Sequence, residues 1–319
     1  MVKEPLYVWF VYSFQSMGFT YETYHAIASA IALCIMAIST YRLAKNYNLV
    51  LGIFLLYPFA LYVVQVRNFY AFALSTIGLY FLNESNENRE KENQTKRLYN
   101  EILFSIIIIC AGLIHSAYLF FLCFIFAERL NVKKVIIITV VLIVVESMSI
   151  NTSFLIYFSS YFNVSKRLEH AIDFQSIDGQ SDITFRIIVT FFMCLCCFLY
   201  LLYQVKRKEG SDDKALTQIY HQNLFMLKIN ILCLIIIPFV SLIREVFRIQ
   251  EALMLLNYIV LTNNIDNRIS WRNTISWKNE SEKNCVIIAM LLAIALIDAY
   301  LYIYRFRQLR EFVIQPVFG

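Results

Sequence analysis

Apolar residues in this chain come in long runs broken by short polar stretches, not at the spacings of half-buried helices or strands. A helix needs about 20 such residues to cross a hydrocarbon core about 30 Å thick. The runs predict spans over 23–41, 47–66, 69–82, 99–114, 116–130, 133–150, 183–205, 225–243, 249–263 and 285–304. Several are short, and 69–82 and 99–114 fit a tilted or partly re-entrant pair. The pattern predicts an all-α fold, a polytopic integral membrane helix bundle with about 8–10 transmembrane helices. A membrane β-barrel would instead show short segments of alternating polarity.

The polar breaks organise the runs. We read residues 1–319 as a single multi-span domain, with an outer loop over 1–22, a polar cytoplasmic loop over 83–98 and a large outer loop over 151–182. Lys and Arg set the orientation, because loops rich in them stay on the cytoplasmic side. Placing Arg42 and Lys45 inside, and alternating from there, puts most loop cations inside. The tail bearing Arg305, Arg307 and Arg310 runs mildly against this assignment.

Composition agrees. The chain is 59% hydrophobic and 16% charged, with mean hydropathy +0.60. Its net charge of +5 sits in short loops and reads as a topology signal, not as a nucleic-acid surface. Cys194, Cys196 and Cys197 share one apolar run, where cysteine acts as a small hydrophobe. Neither disulfides, a metal site nor a cofactor is expected. Residues 1–22 hold Lys3, Glu4, Pro5 and Glu22 and do not read as a cleavable signal peptide.

Candidate chemistry lies at breaks in the apolar runs. Counting spans puts Arg67, His115, Arg244 and Arg248 on the outer side. An outer-edge arginine often just snorkels to lipid head groups, and a single interfacial histidine is more often structural than catalytic. Charges near apolar spans are nonetheless costly enough to suggest a role. Arginine binds phosphate bidentately, and histidine takes a proton near neutral pH. Together they suit attack by a hydroxyl on a phosphate-activated group held at the membrane. No P-loop, HExxH or GxSxG motif is present. The outer loop 151–182 offers Tyr157, Tyr161 and Asp173 as compositional candidates for contacts to sugar.

Several segments resemble the EpsG-type branch of the Wzy-like bacterial polysaccharide polymerases. They are "EPLYVWFVYSFQSMGFTYETYHAIASAIAL", "YPFALYVVQVRNFYAFALSTIGLYFL", "LFSIIIICAGLIHSAYLFFL" and, more weakly, "FVSLIREVFRIQEALMLLNYIVL". The second is similar to the family's Arg-Gln-x-x-Ala pattern, with Arg67 and Ala71 matching and Asn68 in place of Gln. The third is similar to its Ala-x-x-x-His-x-Ala segment, with His115 as the histidine. Arg244 resembles the family's late arginine. Leu6 stands where Gly usually follows Glu-Pro. The family usually carries a span before this point, so the resemblance implies that such a segment is missing here.

The resemblance implies a membrane-embedded glycosyltransferase of the bacterial cytoplasmic (inner) membrane. It would polymerise undecaprenyl-diphosphate-linked oligosaccharide repeat units into capsular polysaccharide, exopolysaccharide or O-antigen at the outer face, without metal or nucleotide. Arg67, helped by Arg244 and Arg248, would hold the diphosphate, and His115 would orient or deprotonate the acceptor hydroxyl. A chain-length regulator and a flippase are the partners it implies, besides membrane lipid; nucleic acid is not one. The rival readings are an O-antigen-ligase-like transferase and a flippase for lipid-linked oligosaccharide. A flippase is expected to have paired halves and charges deep within its helices.

Overall fold

The computed structural model describes residues 4–56, 65–90, 94–149, 214–236 and 247–264, with isolated positions between 58 and 62, 197 and 205, and 289 and 296. These residues form helices: α1 (Pro5–Ser16), α2 (Tyr21–Leu43), α3 (Tyr47–Leu56), α4 (Val66–Glu90), α5 (Gln94–Ile114), a 3-10 segment (Ser116–Cys123), α6 (Phe124–Arg129), α7 (Val132–Ser149), α8 (Lys214–Cys233) and α9 (Phe247–Asn263). No strand occurs among the described residues. The protein is an all-α helical membrane bundle. Among the described helices, α2 and α5 are long and apolar enough to cross a bilayer, whereas α3 and Ala252–Asn263 are apolar but shorter.

Helix boundaries depart from the runs for local reasons. The segment 1–22, expected as an outer loop, contains α1, whose first turn starts with Pro5; the fixed φ of proline suits that position. Helix α3 stops at Leu56, just before Pro58, which cannot continue a helix without losing a hydrogen bond. Helix α4 extends to Glu90 and α5 starts at Gln94, so helix replaces loop over most of 83–98. The Glu, Arg and Lys residues there are good helix formers, and Arg97 Nε donates to Glu101 Oε1 at 2.9 Å, one turn on. The run 116–130 is a 3-10 segment followed by short α6. A 3-10 rise of about 2.0 Å per residue lets its 8 residues cover the depth of about 11 α-helical ones.

Packing divides the chain into two compact units, Met1–Leu122 with Glu251–Gly319, and Cys123–Gln250. In the first, α4 and α5 form an antiparallel hairpin. A Cβ on Gly78 of α4 would lie 3.1 Å from Ile108 and 3.4 Å from Phe104 of α5, so glycine sets how closely the two backbones approach. Phe54, Tyr62 and Phe72 stack beside this pair, with Phe54–Phe72 at 5.7 Å and Tyr62–Phe72 at 4.7 Å between ring centroids. In the second unit, Phe124 and Ala127 of α6, Val135 of α7 and Met226 and Leu227 of α8 are buried, while Ile137, Val140, Val141, Val144 and Val145 of α7 are exposed. An apolar exposed helix face is what lipid contact requires.

The first unit is also tied at its far end. The C-terminus of α2 leaves carbonyls without helical partners. Asn263 of α9 supplies one, donating from Nδ2 to Leu43 O at 3.0 Å. Its Oδ1 accepts from Lys45 N at 2.7 Å, and Asn46 Nδ2 donates to Thr262 O at 3.2 Å. The C-terminal ends of α2 and α9 therefore meet.

Candidate active site

Arg67 is the second residue of α4. At this position the backbone N–H groups of the first turn lack helical acceptors and the helix dipole is positive. The Arg67 guanidinium pairs with the Glu4 carboxylate through Nη1 and Oε2. Its Cζ also lies 5.6 Å from the centre of the Tyr7 ring, a cation–π distance. The Arg67 side chain is 50% exposed and that of Glu4 only 4%. A buried acid and an aromatic face thus fix one side of a cation whose other side is open.

Glu4 carries a local cost. It precedes α1 with φ 59° and ψ 62°, a left-handed conformation that is uncommon for a side chain of this size. Its carboxylate does not cap α1 but goes to Arg67 instead. Sequence reasoning passed over Glu4 as a site residue. The quoted Glu-Pro pair was the available signal, but nothing in the sequence assigned it a partner 63 positions away.

An aromatic cluster extends from Arg67 along α1, α2 and α4. The Tyr7 hydroxyl meets the Tyr21 hydroxyl at 3.4 Å, and the Tyr21 ring sits edge-on to His25 at 4.1 Å. His25 Nδ1 lies 2.9 Å from the Tyr70 hydroxyl, which is also 3.4 Å from Ser29 Oγ. Tyr24 contacts Tyr7, Tyr21, His25 and Tyr70. Tyr70 follows Arg67 by three positions on α4, a spacing that places the two on one helix face. Burial first, then the Tyr21 hydrogen bond, pushes the Tyr7 phenol well above its ordinary range. Tyr7 therefore stays neutral, with its ring beneath the cation. His25, Tyr21 and Tyr70 were likewise not singled out from sequence.

His115 closes α5 at the same end of the hairpin. The neighbouring pair shows this: Tyr118 donates from its hydroxyl to Asn68 Oδ1 at 2.9 Å, joining the segment after His115 to the residue after Arg67. Asn68 Nδ2 donates in turn to Gln65 Oε1 at 3.2 Å. His115 itself is buried, at 1% exposure. The Ala117 amide donates to its Nδ1 at 3.4 Å, and its ring packs edge-on against Tyr118 at 6.0 Å. A Cβ on Gly112, one turn earlier, would meet Leu119 Cγ at 2.5 Å, so the Leu119 side chain would have to shift. The imidazole thus sits inside a folded-back helix end and not on an open surface.

The remaining sequence candidates lie outside the described residues: Arg244, Tyr157, Tyr161 and Asp173 entirely, and Arg248 as to its side chain, although its backbone belongs to α9. No group of three or more His, Cys, Asp or Glu suited to a metal occurs among the described residues.

The pairing of the Glu-Pro segment with the arginine segment, and of the arginine segment with the histidine segment, brings three stretches of the sequence to one place. A family model for EpsG matches residues 2–308. The chain belongs to the EpsG family. No curated protein and no solved structure matches it. Membership in the EpsG family implies a polysaccharide polymerase-type function and a lipid-linked oligosaccharide substrate in the membrane. With the apolar helices, it also indicates a membrane protein.

Proposed function

We propose that this EpsG-family chain is a multi-pass glycosyltransferase of the bacterial cytoplasmic membrane that joins undecaprenyl-diphosphate-linked repeat units at the outer face. The observation that carries this reading is the Arg67 guanidinium, anchored by Glu4 and Tyr7, half exposed, and placed at the positive end of α4. A diphosphate leaving group needs fixed positive charge where its own charge develops. Arg67 and the first-turn amides of α4 supply it, and Arg244 and Arg248 remain our sequence candidates for further positive charge. In the reaction an acceptor hydroxyl attacks the anomeric carbon of the donor repeat, the bond to the diphosphate oxygen breaks, and the electron pair leaves with undecaprenyl diphosphate. The arginine stabilises that oxygen, so a general acid is not needed.

For His115 we propose a positioning part, in place of the deprotonation that its motif resemblance implies. Buried at the end of α5, it positions the turn that carries Tyr118 against Asn68, and so fixes the segment beside Arg67. Tyr157, Tyr161 and Asp173 remain our candidates for sugar selection. The product is capsular or exopolysaccharide, or O-antigen, delivered with the help of a flippase and a chain-length regulator.

The test is the size distribution of surface glycan in a deletion strain complemented with wild type or Arg67→Ala at matched expression. Wild type restores long chains. Arg67→Ala leaves lipid-linked single repeats on the outer side and lowers polymerisation on the order of 100-fold or more. Long chains from Arg67→Ala would remove the diphosphate role. Single repeats trapped on the inner side of the deletion strain would favour a flippase instead.

A further inference from the structure

Polymerisation moves a proton off the acceptor hydroxyl, and His25, unlike the buried His115, is partly exposed. We propose that His25 takes this proton, with Tyr70 as its positioning residue; the proposal rests on the polymerase reading above.

Four observations place it. His25 lies in the second turn of α2 and is partly exposed. Its Nδ1 is engaged by Tyr70 at 2.9 Å, whereas its Nε2 has no hydrogen-bond partner among the described residues. Tyr70 shares a face of α4 with Arg67, so the imidazole and the guanidinium are served by adjacent turns of one helix. A second route leads from Arg67 over Tyr7 and Tyr21 to the His25 ring by contacts of 5.6, 3.4 and 4.1 Å. The base and the diphosphate site therefore belong to one tyrosine-rich cluster.

The contacts of Tyr70 are compatible with the tautomer that the reaction needs. In the proposed arrangement the Tyr70 hydroxyl, 2.9 Å from His25 Nδ1, accepts from Nδ1–H and turns its own proton towards Ser29 Oγ at 3.4 Å. The proton then resides on Nδ1, and the Nε2 lone pair is available to the acceptor. As the acceptor oxygen bonds to the anomeric carbon, its O–H bond breaks and the proton goes to Nε2. The anomeric carbon–oxygen bond breaks towards Arg67, and the electron pair stays on the diphosphate. The product imidazolium sits near Glu22, Tyr21 and Tyr24 on its own helix and Tyr70 on α4.

The full chain, purified and reconstituted in lipid vesicles, is given lipid-linked repeat units extracted from the deletion strain, and chain growth is followed against pH. Wild type shows a rate limb in the histidine range. His25→Gln lowers kcat on the order of 100-fold with KM little changed, and the limb disappears. Tyr70→Phe keeps the fold and shifts the limb, a change that loss of packing alone does not produce. If His25→Gln does not accumulate, His25→Asn and Tyr70→Phe carry the test. A His25 variant with wild-type kcat and an unchanged limb, alongside an inactive Arg67→Ala, overturns the assignment and leaves the polymerase reading intact. Wild-type protein that extends nothing overturns both.

Discussion

Glu4 and Arg67, 63 positions apart in the chain, meet as an ion pair that ties the start of α1 to the first turn of α4. The acid is buried and the base half exposed, so the pair orients the guanidinium more than it neutralises it. Removing one partner costs about 1.5–3 kcal/mol, the range for a hydrogen bond to a charged group. The exchange Glu4→Arg with Arg67→Glu separates structure from chemistry. We expect the double variant to recover much of the thermal stability lost by either single change, measured in detergent, while long glycan chains stay absent. Recovery of long chains would mean that the pair is only a tether.

Asn68 and Tyr118 hold the same end of the hairpin together. Both are buried, so deleting either leaves a polar atom without its partner, at a cost of about 1–3 kcal/mol. Tyr118→Phe and Asn68→Leu each lower the unfolding midpoint. The double variant is less unstable than the sum of the two, because the second change removes the atom the first one stranded. Strict additivity in a thermal-melt cycle would show that the bond contributes nothing.

Asn263 serves the opposite end by capping the last carbonyl of α2 and receiving the Lys45 amide. Asn263→Ala removes both contacts and costs roughly 1–3 kcal/mol. Since the Arg67 cluster is at the other end of α2, chain growth per folded molecule should hardly change. Measuring the unfolding midpoint together with the specific rate checks this. A large loss of rate at unchanged stability would contradict it.

The helical membrane character was legible because a hydrocarbon core leaves the backbone few choices, and long apolar runs record this directly. The segments around Arg67 and His115 read from sequence as neighbours, and the Tyr118–Asn68 hydrogen bond joins the residues that follow them. Three things were not legible. The helix over 1–22 and the extension of α4 to Glu90 depend on local propensity, which apolar runs do not measure. Glu4 and His25 acquire meaning from partners 63 and 45 positions away, Arg67 and Tyr70. The burial of His115 depends on how the 3-10 segment folds back, and no span count contains that information.

That fold-back offers the most direct test of how His115 acts. Gly112 and Leu119 occupy touching volumes on either side of it, so any side chain at 112 displaces Leu119. Leu119 is the flexible partner, which sets the expected order of effects. Gly112→Ala is tolerated with a cost of about 1–3 kcal/mol, the usual range for overpacking, and Gly112→Val costs more. Both move the His115 turn relative to Asn68 and lower chain growth as well as stability. Adding Leu119→Ala restores the space without touching His115. If His115 acts by holding the turn, the Gly112→Ala, Leu119→Ala protein regains chain growth, and His115→Ala fails in stability and in rate together. A His115→Ala protein that keeps its unfolding midpoint but loses chain growth would place the imidazole on the substrate instead, and would set His115 rather than His25 as the proton acceptor.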